Sequence, residues 1–230
     1  MTGRVRRLLW PGVMAAAMLA VLLALGTWQV ERLQWKRQIL AQIARAEAAP
    51  AIPLPADPQP FTKVQVSGEL REDLAAFYGA QVRDTPSGTL LGTQLIVPLQ
   101  RSHDGTVLVD LGWIPDKRSR PVPLAEGDVT LQGYVRPSDK PGLFSVADDL
   151  AKRQFFTLNA PRIAGALGLR DVAPFVLVAM GQPPPQGYPD PAQHLPRPPN
   201  NHLSYAITWY GLAAALLLVF GLWTREVLTA

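Results

Sequence analysis

The apolar residues of this chain are gathered at its two ends, and the middle alternates. No side chain from Leu8 to Val30 is charged, and none from Pro198 to Thr224. About 20 apolar residues in a helix cross a bilayer core. The pattern therefore predicts one membrane helix over about residues 8–30 and a second near Leu203 to Trp223. Pro11 falls early in the first helix, where the missing N–H is tolerated. The helical spacing of Ile39, Leu40 and Ile43 carries that helix on to about Ala48. Between the ends, short β-branched runs predict strands at Phe61–Leu70, Ala75–Val82, Gly92–Leu99, Thr106–Ile114, Val129–Val135, Gln154–Leu158 and Phe175–Met180. Pro86-Ser87-Gly88 and Asp104-Gly105 are turn signals, the second that of a hairpin. Asn159-Ala160-Pro161 predicts a capped short helix through about Leu167.

The 23 prolines sharpen these boundaries. They cluster in 49–60 and 182–201, which read as extended linkers. The expected organisation is a tail, first transmembrane helix and helical extension over 1–48, then a linker over 49–60. A β-rich domain over 61–181 follows, then a return linker over 182–201, a second transmembrane helix over 202–224 and a tail over 225–230. The fold class is thus two transmembrane α-helices flanking a mostly antiparallel β (α+β) extramembrane domain. A cleaved signal peptide also fits the arginine-rich start, the apolar core and the small pair Ala24 and Gly26. The length of the run and its helical continuation favour a retained helix. Two spans put both termini on one side. Short tails inside and the large domain outside is the expected arrangement.

Charge and composition remove several classes of function. The net charge is +4, with basic residues at Arg4, Arg6, Arg7, Arg32, Lys36 and Arg37, beside the first apolar run, where anionic lipid headgroups lie. No basic stripe with interleaved aromatics suggests nucleic acid. The chain has no cysteine, so disulfides and thiolate metal sites are excluded. No nucleophile–base set, P-loop or metal-binding HExxH motif is present, and an enzyme is not expected. His103 reads as a turn histidine, and the adjacent Asp148 and Asp149 as a solvated pair or helix cap. Asp110-Leu111-Gly112-Trp113-Ile114-Pro115 reads as a strand end with a packed tryptophan.

Candidate chemistry concentrates where the helices enter the membrane. His202, Tyr205, Ala206 and Trp209 recur at one helical face. On the first helix Trp28, Arg32 and Trp35 share a face, and Gln29, Arg32 and Lys36 a neighbouring stripe. With both termini on one side, these two sets lie at the same membrane surface. A neutral imidazole ligates metals and haem iron. Tyr205 and Trp209 suit a flat macrocycle, and Arg32 or Lys36 suits its propionates. An interfacial histidine without any ligand, and an interfacial anchoring role for Trp28, are the alternatives that spacing alone leaves open.

Three stretches resemble the Surfeit locus protein 1 (Shy-type) family. They are Gly26-x-Trp28-Gln29-x-x-Arg32-x-x-Trp35-Lys36, Val109-Asp110-x-Gly112-Trp113-Ile114-Pro115, and Asn200-Asn201-His202-Leu203-x-Tyr205-Ala206-x-Thr208-Trp209. The resemblance runs in order through nearly the whole chain. It implies a non-enzymatic assembly factor for haem–copper cytochrome c oxidase, in a bacterial inner membrane with the large domain periplasmic and both termini cytoplasmic. It implies transient binding of haem a and its insertion into subunit I, with His202 as iron ligand and Trp209 near the ring. Helical facing adds Tyr205, Trp28, Arg32 and Lys36 to the expected cofactor site. Subunit I, the haem a synthase and membrane lipid are the expected partners. A haem-free scaffold that docks oxidase subunits or the synthase through its outer domain is the alternative.

Overall fold

The computed structural model describes residues 3–85, 88–102, 104–117, 122–142, 145–185 and 187–229, with side chains from Arg7 onward. His103, Pro86 and Ser87 lie outside the described residues. In chain order the elements are α1 (Gly3–Ala48), β1 (Ile52–Pro53), β2 (Lys63–Leu70), β3 (Ala76–Thr85), β4 (Gly88–Gln100), β5 (Thr106–Pro115), β6 (Asp128–Pro137), β7 (Gln154–Phe155), α2 (Ala160–Ala166), β8 (Val172–Ala179) and α3 (His202–Thr229). They form two units, one of Met1–Gln42 with Arg197–Ala230, the other of Ile43–Pro196.

The first unit is a helix pair. Both α1 and α3 are long and apolar enough to cross a membrane. Each carries a less exposed stripe, at positions 8, 12, 15, 19, 22, 26, 29 and 33 of α1 and 202, 206, 209, 213, 216 and 220 of α3. Steps of three and four alternate, the repeat of about 3.5 residues that keeps two helices in continuous contact. α3 runs past residue 224, the expected end, to Thr229. Arg225-Glu226-Val227-Leu228 includes good helix formers and no proline or glycine to stop it.

The second unit is a small closed barrel. Its sheet runs β1-β2-β6-β8-β5-β4-β3-β7, and a further pairing of β2 with β4 joins the ring. Most pairings are antiparallel; β5 with β8 is parallel. Closure rests on Glu69 opposite Gln100 and Leu70 opposite Leu99. Gly68 makes this approach possible, because a Cβ there would lie 2.4 Å from the Gln100 carbonyl oxygen. The interior is filled by alternating residues such as Val64, Val66, Leu95, Val97, Val107, Val109 and Leu177. The opposite face of β4, β5 and β8 gives Ile96, Leu108 and Val176 to a second cluster under α2. β5 is consequently buried along its whole length, which is why it reads as a nearly unbroken apolar run. An extra residue in β5, opposite the Leu95/Ile96 step of β4, shifts the alternation. Ile114, not Trp113, then joins the interior.

The proline-rich stretches are more ordered than linkers would be. Ile52–Pro53 pairs in parallel with Val64–Gln65; it is an edge strand, where proline's missing donor is tolerated. In the return stretch Asp190 exchanges backbone hydrogen bonds of 2.9 and 3.0 Å with Trp113. The Asp190 carboxylate accepts from Arg83 at 2.8 Å, the Tyr188 ring lies 5.5 Å from Trp113, and Leu195 is fully buried. Trp113 thus pins the return stretch to β5. Of the acidic pair, Asp148 is an almost wholly buried side chain ion-paired to Arg162 of α2 at 2.7 Å, not a solvated one. Asp149 pairs with Lys152.

Asp110 is the one charge-bearing residue inside β5. It faces a cavity of about 180 Å³ lined also by Tyr78, Arg83, Tyr134 and Arg136, and its Oδ1 accepts the Gly112 N–H at 3.1 Å. Burial pushes its carboxyl up to about 6, against the Gly112 hydrogen bond and the two arginines. Neither arginine is committed to it: Arg83 pairs with Asp190 and Arg136 with Asp139. A carboxyl that holds its proton more tightly when folded favours the folded state most below its unfolded value of 3.8. That contribution is lost as pH rises through about 6. Asp110→Asn keeps the acceptor for Gly112 and removes the charge. We expect the variant to be more stable than the parent at pH 7.5, by up to about 3 kcal/mol at roughly 1.4 kcal/mol per pKa unit. The gap should close towards pH 4, as read by unfolding midpoints across that range.

Candidate functional site

The approach of α1 and α3 sets the geometry. An added Cβ at Gly26 would lie 2.8 Å from the Tyr210 ring, so glycine allows α3 to lay an aromatic ring directly on the α1 backbone. The Tyr210 hydroxyl reaches the Thr27 hydroxyl at 3.1 Å. At the far end Gly12 meets the Phe220 ring, at 3.7 Å from an added Cβ. Ala206 and Ala213 are buried on α3. Close contact through small residues is how helices associate without a hydrophobic driving force between them.

One turn from Gly26 the seam turns polar. Gln29 is 9% exposed, and its Oε1 lies 2.7 Å from His202 Nδ1. His202 is the first residue of α3. Asn200 caps that start by accepting the His202 backbone N–H on Oδ1 at 3.4 Å. Two residues separated by 173 positions are therefore joined at the end of the helix pair. An interhelical hydrogen bond of this kind contributes only about 0.6–2 kcal/mol. Packing holds the helices together, and the bond orients the side chains within it.

The other expected residues fall around this point in different ways. Trp209 is half-buried on the stripe of α3 that faces α1, and Lys36 is half-buried on the stripe of α1. Tyr205 is 55% exposed and lies off the α3 stripe. Arg32 is exposed, its guanidinium 5.7 Å from the Trp28 ring centre and 5.5 Å from that of Trp35. Two cation–π contacts of about 0.5–1 kcal/mol each hold that charge over the rings. Gln29 and the Gly26–Tyr210 contact are absent from the expected site. Their signal was the alternating spacing of Leu22, Gly26, Gln29 and Leu33, which marks a helix seam. Among the described residues no cluster of three or more histidine, aspartate or glutamate side chains is placed to hold a metal ion. The chemistry available at the helix ends is therefore that of one imidazole with aromatic and cationic neighbours.

A family model described as the SURF1 family matches residues 16–214, a span that includes both helix stretches of the site. The SURF1-like protein of Rickettsia conorii is 30% identical over 214 residues, covering 90% of this chain and 88% of that protein. Surfeit locus protein 1 of Homo sapiens is 29% identical over 212 residues, covering 83% of this chain and 70% of that protein.

The contacts at Gly12 and Gln29 set an antiparallel register that brings Leu19 level with Ala213. Because the chain has no cysteine, Leu19→Cys with Ala213→Cys introduces the only thiols. Mild oxidation in detergent is expected to cross-link them within one chain. Ala17→Cys with Ala214→Cys, on exposed positions, should remain reduced; the electrophoretic shift on non-reducing gels distinguishes the two.

Proposed function

The chain belongs to the SURF1 family, and from that footing we propose that it is a membrane-anchored, non-enzymatic assembly factor for haem–copper cytochrome c oxidase. It holds haem a transiently where the start of α3 meets the middle of α1 and assists its insertion into subunit I. Both helices cross the bacterial inner membrane, with the termini cytoplasmic and the barrel periplasmic. The haem a synthase is the natural donor partner, and membrane lipid surrounds the helix pair.

The observation that carries this reading is the Gln29–His202 contact, which joins two of the three stretches through which the chain resembles the family. The donor set fits a haem: one imidazole has a single ring nitrogen engaged by protein, and its other nitrogen remains for iron. Bound haem a would supply an iron centre able to take a nitrogen ligand, and His202 would be the residue that holds it. Trp209, Tyr205 and Trp28 offer ring faces and edges to the macrocycle. Arg32 and Lys36 offer cations to its propionates; releasing Arg32 from Trp28 and Trp35 costs about 1–2 kcal/mol, comparable with the roughly 1.5–3 kcal/mol a charge-assisted hydrogen bond returns. A single protein ligand with half-exposed neighbours suits a carrier that must give its cargo up.

Protein purified from membranes of cells that make haem a is expected to carry the absorption bands of bound haem. His202→Ala should remove them while leaving the yield of folded protein unchanged. Bands that persist in His202→Ala would remove the ligand assignment.

A further inference from the structure

We propose that Gln29 is a positioning residue that fixes the tautomer and orientation of His202, so that Nε2 is the atom presented to iron. The inference rests on the haem-binding reading above and deepens it. Gln29 occupies a seam position where Leu22, Gly26 and Leu33 make the adjacent layers apolar or small. An amide on such a seam costs free energy unless it is paired. Its pairing is unusually informative about protons. The oxygen Oε1, which can only accept, faces His202 Nδ1 at 2.7 Å. With Oε1 as the facing atom, the contact is a hydrogen bond when Nδ1 carries the hydrogen, and Nε2 then keeps the lone pair that a metal requires. Free neutral histidine favours the opposite tautomer, with the proton on Nε2. Gln29 holds the ring in the form that is ready to ligate.

Three further contacts place the start of α3 against α1. The Asn200 carboxamide caps the His202 backbone N–H. Gly26 and Tyr210 set the helix separation one turn away. The Tyr210 hydroxyl lies 3.1 Å from the Thr27 hydroxyl, a second polar contact between the helices. With Nδ1 tied to α1, Nε2 projects on the opposite edge of the ring, away from Gln29. The arrangement is that of a metal-binding histidine whose second nitrogen donates to a protein oxygen. Here the two partners come from the two helices.

The test is the protonation of His202 in the full-length, haem-free protein in lipid nanodiscs, read by nitrogen NMR of histidine-labelled samples and assigned by comparison with His202→Ala. Wild type and Gln29→Glu, which retains an acceptor oxygen, should show the proton on Nδ1. Gln29→Leu should shift His202 towards the Nε2–H form. Purified haem a titrated into the same samples should bind Gln29→Leu about 10- to 100-fold more weakly than wild type, with Gln29→Glu closer to wild type. A proton on Nε2 in the wild type overturns the proposal whether or not Gln29→Leu folds, as does a tautomer unchanged by Gln29→Leu. If the tautomer responds but haem a binding survives His202→Ala, the haem-ligand reading fails while the fixing of the tautomer by Gln29 stands. If haem a binding requires His202 but the tautomer ignores Gln29, the proposal fails and the reading stands.

Discussion

The hydrogen bond between Gln29 and His202 exists because two helices far apart in sequence meet through a narrow seam. Gly26 lets the Tyr210 ring rest on the backbone of α1, and the stripe of small and apolar residues keeps the two axes together over several turns. At the end of the seam, the same spacing that places Gly12 and Gly26 places Gln29 where an apolar residue would pack equally well. An amide there brings little association energy. It specifies which side chain of α3 it meets and which nitrogen of that side chain it engages.

Much of this was legible in the sequence. The charge-free runs announced both long helices, and short alternating or β-branched runs between turn residues located nearly every strand. The cap at Asn159 was visible for the same local reason, its side chain accepting the Arg162 N–H. What sequence could not supply was closure. Gly68 lies inside the expected strand, and only the fold shows Gln100 approaching it. The return stretch looks like a linker because its prolines hide the order given by Trp113 and Asp190.

The site was half legible. His202 and Trp209 stand out as polar or aromatic residues entering an apolar helix. Helical facing also nominated Tyr205, which shares their side of a helical wheel, but the contact face of a helix pair repeats every 3.5 residues. That narrower stripe selects His202, Ala206 and Trp209 and leaves Tyr205 exposed. Gln29 was visible on its own stripe, but only the partner helix reveals that its amide faces a histidine. Facing on one helix is local information; pairing across two is not.

The barrel and the helix pair carry different kinds of polar group. Asp110 is buried with its charge only partly compensated, and burial raises the pKa of its carboxyl. Gln29 is buried and paired, and its consequence is geometric. The claim on which the functional account turns is that His202 alone among the three histidines of the chain binds the iron. Its most direct test is pulsed electron paramagnetic resonance on haem-loaded protein labelled with heavy nitrogen only in histidine. The account predicts a strong coupling to a histidine nitrogen that is retained in His103→Ala and His194→Ala. Absence of that coupling in the wild type, or its loss only when His103 or His194 is replaced, would contradict it.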